Sequence, residues 1–145
     1  TAGVLKAKAM YDFEKTPVLS IRVRSTDDTG LFVDERLLVY VTNVNEAPSI
    51  TTMTLPNAVI GNEYSGLVKA TDPDSGDTLT FSCVTGPAWL TCNADGSLTG
   101  TVAGSTGPVT FTARVQDAGG LYDVEPGSIT VVQPTPTQTP SPTPE

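Results

Sequence analysis

Oxygen-bearing side chains crowd two short stretches of this chain. The first is Asn43-Val44-Asn45-Glu46-Ala47-Pro48, and about two dozen residues later comes Ala70-Thr71-Asp72-Pro73-Asp74-Ser75-Gly76-Asp77. Carboxylates packed that closely repel one another and lose hydration unless a cation gathers them. The hard cation that takes roughly six to eight oxygens from carboxylate, amide, carbonyl and water donors is Ca²⁺. Taken singly, Asp-Pro-Asp and Asp-Gly are ordinary turn formers that hydrogen-bond their own backbone. Their convergence on one proline-ended joint is what points to calcium. The expected role is to stiffen a link between two β-rich segments.

Other chemistry has little support. The 145 residues include no His and one Trp, with 16 acidic against 8 basic side chains and a formal charge of −8. Without His, Ser-His and Cys-His machinery and His-based metal hydrolases are excluded. Paired carboxylates can hydrolyse glycosides, but here they fall at turns beside a joint rather than along a cleft. The chain reads as non-enzymatic. Phosphate binding needs clustered Lys and Arg, so the acidic balance disfavours nucleic acid. It suits a soluble extracellular protein carrying divalent cations, although acidity also serves solubility alone. The longest apolar run, residues 37–41, is far short of the ~18 residues of a membrane span. No signal peptide opens the chain, so a secreted reading requires that one was removed or that this is a piece of a longer protein.

Cys83 and Cys92 are the only cysteines, flanking a Gly-Pro turn between two strand-like runs. If the runs pair, the two thiols face each other across a hairpin. Such a bridge would contribute roughly 2.5–3 kcal/mol in the chain-entropy model. Two buried free thiols are the alternative. Zinc is not supported, since two sulfurs without His fall short of four ligands.

The elements that must position these groups are strands. Residues 18–24 alternate with Leu19, Ile21 and Val23 on one face, and residues 109–115 alternate with Val109, Phe111, Ala113 and Val115. Further strands are expected near 4–11, 35–42, 50–55, 63–69, 78–83, 89–92 and 127–132. Turn signals separate them at Thr29-Gly30, Asp95-Gly96, Gly107-Pro108 and Gly119-Gly120. Helical spacing is absent, and short strands with frequent turns argue an all-β sandwich. Trp89, followed by Leu90, is read as core rather than as a sugar platform.

An internal echo divides the chain. Residues 21–31 and 111–121 are each an alternating strand ending in Asp, then a Gly-containing turn and a Leu, at an offset of 90 residues. Two tandem modules are therefore expected, meeting at Pro48. Residues 48–133 have room for a complete sandwich of about seven strands. Residues 1–47 hold three, too few to bury both faces of a sandwich, and read as a C-terminal half-module. Residues 134–145 are Pro/Thr-rich, favouring an extended polyproline II rod. Thr135, Thr137, Thr139, Ser141 and Thr143 are candidate O-glycan acceptors there.

These motifs resemble the cadherins. The stretch at residues 43–48 is similar to the family's inter-repeat linker, Asp-x-Asn-Asp-Asn-Ala-Pro, though one residue shorter and with Asn43 in place of Asp. Tyr11-Asp12-Phe13-Glu14 resembles the Leu-Asp-Arg-Glu element, and Asp72-Pro73-Asp74 resembles the Asp-x-Asp of the following repeat. Asp117 resembles the Asp that ends its penultimate strand. Residues 70–82, Pro87-Ala-Trp89-Leu90 and 96–100 look like the bacterial, dystroglycan-type cadherin-like variety. The resemblance implies calcium ligands at Asp12, Glu14, Asn43, Asn45, Glu46, Asp72, Asp74 and Asp117. Asp77 stands where the family often has Asn, outside that set. The departures remove charge, so one or two ions rather than three are expected at the joint.

The reading that follows is tandem Ig-like, cadherin-like modules in an extracellular, calcium-stiffened structural or adhesive protein. Self-association or neighbouring repeats are the expected partners. Either strand exchange with another molecule completes residues 1–47 and builds a fibre, or the half-module is cut from a longer protein that supplies the missing strands. The alternative is an accessory carbohydrate-binding module of a secreted polysaccharide-degrading enzyme, with polysaccharide as partner.

Overall fold

A computed structural model describes residues 4–136. The chain divides into two compact units, residues 1–45 and 46–145, each described by itself.

In residues 1–45 two long strands, β1 (Val18–Thr26) and β2 (Phe32–Tyr40), pair antiparallel as one hairpin. The turn is fixed by Asp27. Its backbone N–H donates to the Leu31 carbonyl at 2.9 Å, and its Oδ1 accepts the Leu31 N–H at 3.0 Å and the Thr29 N–H at 2.9 Å. Gly30 takes φ +90°, a left-handed conformation that glycine adopts without steric cost. Residues 4–11, expected as a third strand, form none, because β1 and β2 pair only with each other among the described residues. No described residue of this unit is fully buried.

Residues 46–136 form an all-β sandwich of two four-stranded sheets. One has the order β4-β10-β9-β6 and the other β3-β5-β8-β7. The strands are β3 (Ser49–Thr54), β4 (Ala58–Val59), β5 (Glu63–Thr71), β6 (Thr80–Thr85), β7 (Thr91–Cys92), β8 (Ser97–Thr101), β9 (Gly107–Gln116) and β10 (Tyr122–Val132). Alternation along β9 and β10 buries Phe111, Ala113, Val115, Ile129 and Val131, and all of these but Val115 join Tyr64, Val68 and Leu98 of the facing sheet in one core. The small β4 and β8 strands went unread in the sequence, since a two-residue strand and Ser-Leu-Thr-Gly-Thr show almost no apolar alternation. Trp89 packs against the core and meets the Tyr64 ring edge-on, with centroids 5.5 Å apart.

Cys83 and Cys92 are disulfide-bonded, with Cα atoms 5.5 Å apart. The expected hairpin pairing does not occur. β6 joins β9 and β7 joins β8, so the bond crosses from one sheet to the other. Asp123 makes a second link between the sheets, its Oδ2 accepting the Ile50 N–H of β3 at 2.8 Å.

Candidate functional site

The carboxylates of the second unit converge where β5 and β9 end. β5 runs into Asp72-Pro73-Asp74, whose turn closes as the Asp74 N–H donates to Asp72 Oδ1 at 2.9 Å. Gly76, at φ +94°, turns the chain back, and the Asp77 N–H donates to the Asp74 carbonyl at 3.2 Å. One oxygen each from Asp72, Asp74 and Asp77 lies within 4.8 Å of the other two. Asp74 and Asp117 are buried, at 8% and 6% exposure. Asp74 Oδ2 accepts the Glu46 N–H at 2.8 Å, and Asp117 Oδ1 accepts the Leu121 N–H at 2.8 Å.

Acidic side chains repel one another here. Asp72 Oδ2 and Asp77 Oδ2 are shielded from water and have no hydrogen-bond partner. Loss of hydration pushes the Asp77 carboxyl above its ordinary range, and repulsion from Asp72, Asp117 and Asp74 adds to the rise. Two orphaned carboxylate oxygens within one cluster of acids are hard donors of the kind that divalent cations accept. Asp77 is the member that the implied ligand set omitted. Its place three residues after Asp74, around a glycine, was the available signal.

Of the remaining candidates, Glu46 is tied to Asp74 within the second unit by its backbone N–H. In the first unit, Asp12 accepts the Lys15 N–H at 3.0 Å and the Lys15 ammonium at 2.6 Å. That pairing lowers the Asp12 pKa and raises that of Lys15. Glu14 lies in the turn that follows Asp12, and Asn43 and Asn45 lie in an exposed stretch after β2. Thr135 is exposed beyond β10, whereas Thr137, Thr139, Ser141 and Thr143 lie outside the described residues.

A family model described as "Putative Ig domain" matches residues 47–132, the whole sandwich. The chain belongs to this family. Over 86 residues it is 31% identical to protocadherin gamma-A11 of Homo sapiens, a stretch covering 56% of this chain and 9% of that protein. Identity to protocadherin gamma-A1 of Homo sapiens is 33% over 86 residues, with the same shares covered. The chain thus spans about a tenth of the length of the curated relatives it matches. Among solved structures, protocadherin Gamma B7 extracellular cadherin domains 1-4 align with a TM-score of 0.67 at 17% identity, covering 87% of this chain and 34% of that one. The protocadherin GammaB4 extracellular domain aligns at 0.63 and 23% identity, covering 91% and 26%. This Ig-family domain has a cadherin-like β-sandwich fold and is similar in sequence to protocadherins over 86 residues.

Proposed function

We propose that this Ig-family domain is an extracellular structural or adhesive module whose joint is stiffened by Ca²⁺. The observation that carries the proposal is the pair of buried, unpartnered oxygens on Asp72 and Asp77 inside a cluster of carboxylates. Asp72, Asp74, Asp77 and Asp117 would hold the ion. The cadherin resemblance adds Asp12, Glu14, Asn43, Asn45 and Glu46 as ligands, with residues 1–47 as the second half of a preceding repeat. Kinship with protocadherins supports the extracellular setting. The test is Tb³⁺ luminescence and a thermal melt of the whole chain. Calcium should compete with Tb³⁺ and raise the melting temperature, and excess EGTA should reverse both. A melt and scattering profile indifferent to calcium would sink the reading.

The finer part of the proposal is assembly. The inner face of β1–β2 leaves Val23 and Leu37 each 43% exposed. A hollow of about 450 Å³, lined by Leu5, Leu19, Ile21, Val39 and Val41 among others, continues that face. Strands from a second copy of the chain would cover it and extend the assembly head to tail. A related solved structure is described as a protocadherin gammaB7 cis-dimer (TM-score 0.66, 22% identity). Light scattering that stays monomeric at the highest soluble concentration, with and without calcium, would overturn the assembly while leaving the calcium reading intact. In the same proposal Thr135, Thr137, Thr139, Ser141 and Thr143 carry O-glycans that coat the fibre. Intact-mass spectrometry of the secreted protein checks this.

A further inference from the structure

Charge is distributed unevenly along the chain. Residues 1–45 carry six basic and six acidic side chains, whereas residues 46–145 carry two and ten. Three of those basic groups stand together on the outer face of the β1–β2 hairpin. Arg22 is directly opposite Arg36, and the next outward pair is Arg24 opposite Asp34. Like charges directly opposite each other destabilise a strand pair, so an all-arginine cross-strand pair in an otherwise acidic protein calls for a compensating anion. Asp34 cannot supply it for all three. It is held side-on by Arg24, with Nε to Oδ1 at 2.8 Å and a terminal nitrogen to Oδ2 at 2.9 Å. Arg22 reaches it only at 3.9 Å and keeps its side chain 74% exposed. Arg36 spends its Nε on the Ser20 hydroxyl at 2.7 Å.

Aromatic rings close the strip at both ends. Arg24 sits over Phe32, its guanidinium carbon 3.7 Å from the ring centroid, and Phe32 is itself 58% exposed. Tyr40, on the same face at the other end of β2, is 72% exposed. Eight residues of strand separate the two rings, or roughly 26 Å. The equivalent hairpin in the second unit keeps the stacked pair, Arg114 over Tyr122 at 4.2 Å, but has Thr112 and Pro126 in place of Arg22 and Arg36. The arginine pair is therefore particular to β1–β2 and is not a requirement of the hairpin.

We propose that the outer face of β1–β2 binds an acidic polysaccharide through its uronate carboxylates. The Arg22 guanidinium would take a carboxylate by the same side-on geometry that Arg24 already shows with Asp34, and Arg36, whose Nε is spent on Ser20, would take one end-on through its two terminal nitrogens. Phe32 and Tyr40 would stack against the apolar faces of sugar rings at either end. An extended polyanion matches a flat strip of this length better than a compact ligand does. This surface shares no residue with the proposed calcium site.

The experiment is calorimetric titration of the whole 145-residue chain with a short oligogalacturonate. EGTA is kept present so that calcium cannot bridge sugar to protein. Binding should weaken with added salt, and Arg22→Gln/Arg36→Gln should lose about tenfold or more in affinity. Arg22→Lys/Arg36→Lys, which keeps the charge but not the fork, should also lose affinity, while Arg114→Gln should not. In the wild type, the Arg22 and Arg36 Nε–H resonances should move on titration, a readout that needs no variant. The proposal is overturned by absence of binding, or by affinity indifferent to the glutamine pair. Preference for dextran sulfate at equal charge density would overturn it in favour of non-specific attraction to polyanions. Arginine-dependent self-association without sugar would overturn it in favour of a second copy as the occupant.

Discussion

Ninety residues apart in sequence, the β1–β2 and β9–β10 hairpins pair in the same register. Leu19 faces Val39 as Val109 faces Ile129, and Ile21 faces Leu37 as Phe111 faces Gly127. Their turns are built alike, from an Asp whose carboxylate accepts the N–H of the Leu four residues on and a glycine near φ +90°. Their surroundings differ. Phe111, Ala113, Val115, Ile129 and Val131 of the second hairpin are buried, while the inward residues of β1 and β2 are half-buried or exposed. Hairpin geometry is thus fixed by local sequence, and burial by what a separate stretch of chain supplies. Gly127 marks the tertiary adjustment. The Phe111 ring lies where a Cβ on residue 127 would be, so the second hairpin trades the Leu of the first for space.

The sharpest test compares equivalent positions. Phe111→Ala should cost about 3–5 kcal/mol in urea unfolding followed by Trp89 fluorescence, because it empties a filled core. Ile21→Ala in dilute protein should leave amide exchange in β1–β2 almost unchanged. A large rise in exchange there would break the comparison, since it would mean that the first face is covered in solution. Reducing the Cys83–Cys92 bond should destabilise the sandwich by about 2.5–3 kcal/mol, read in the same fluorescence assay, and leave β1–β2 exchange unaffected.

The two turn aspartates differ in electrostatics as well. Asp27 is held below the ordinary carboxylate range by the Thr29 hydroxyl first and by backbone N–H donors. Asp117 belongs to the group that raises Asp77. An unfolded Asp titrates near pH ~4, so above that point the calcium-free native state holds the Asp77 proton more tightly than the unfolded chain does. Stability from this group therefore falls as pH rises through the raised value. Calcium-free Asp77→Asn should melt higher than wild type at neutral pH, with a shallower pH dependence. In excess calcium the order should reverse. Asp27 works in the opposite direction, its contribution present at neutral pH and lost on acidification. Asp27→Asn should accordingly flatten the acid limb of exchange in β1–β2.

The smallest effect is at Tyr64, whose hydroxyl is buried without a hydrogen-bond partner and whose pKa is raised by that burial. Tyr64→Phe should stabilise the sandwich by about 1 kcal/mol in urea unfolding. A loss instead would show that the hydroxyl finds a bridging water.

Strands with strong alternation were legible from sequence alone, as were the Asp-Gly-Leu turns, because local pattern dictates both. The cysteine bond was expected as well, but across a hairpin that does not form. Less legible was anything set by a partner element. Residues 4–11 alternate weakly but find no strand to bond. β6 and β7 are adjacent in sequence yet belong to opposite sheets, so the disulfide crosses the sandwich. Asp77 stood in plain view in an acidic run, and its place among the clustered oxygens depended on Gly76 turning the chain back. The arginine face of β1–β2 needed the register itself, because only pairing sets Arg22 opposite Arg36.

The inter-sheet disulfide also bears on how the domain responds to mechanical load. Its half-cystines are nine positions apart in sequence and 5.5 Å apart in space. If tension draws the sandwich out, the enclosed segment stays closed, shortening the fully stretched contour by about 25 Å at the reach of an extended chain. The short parallel contact of Val131 and Val132 with Ala58 and Val59 would be loaded in shear as β10 is pulled. An extracellular tether built from such units would lengthen less per rupture in its oxidised form than in its reduced form, so redox state would set its reach.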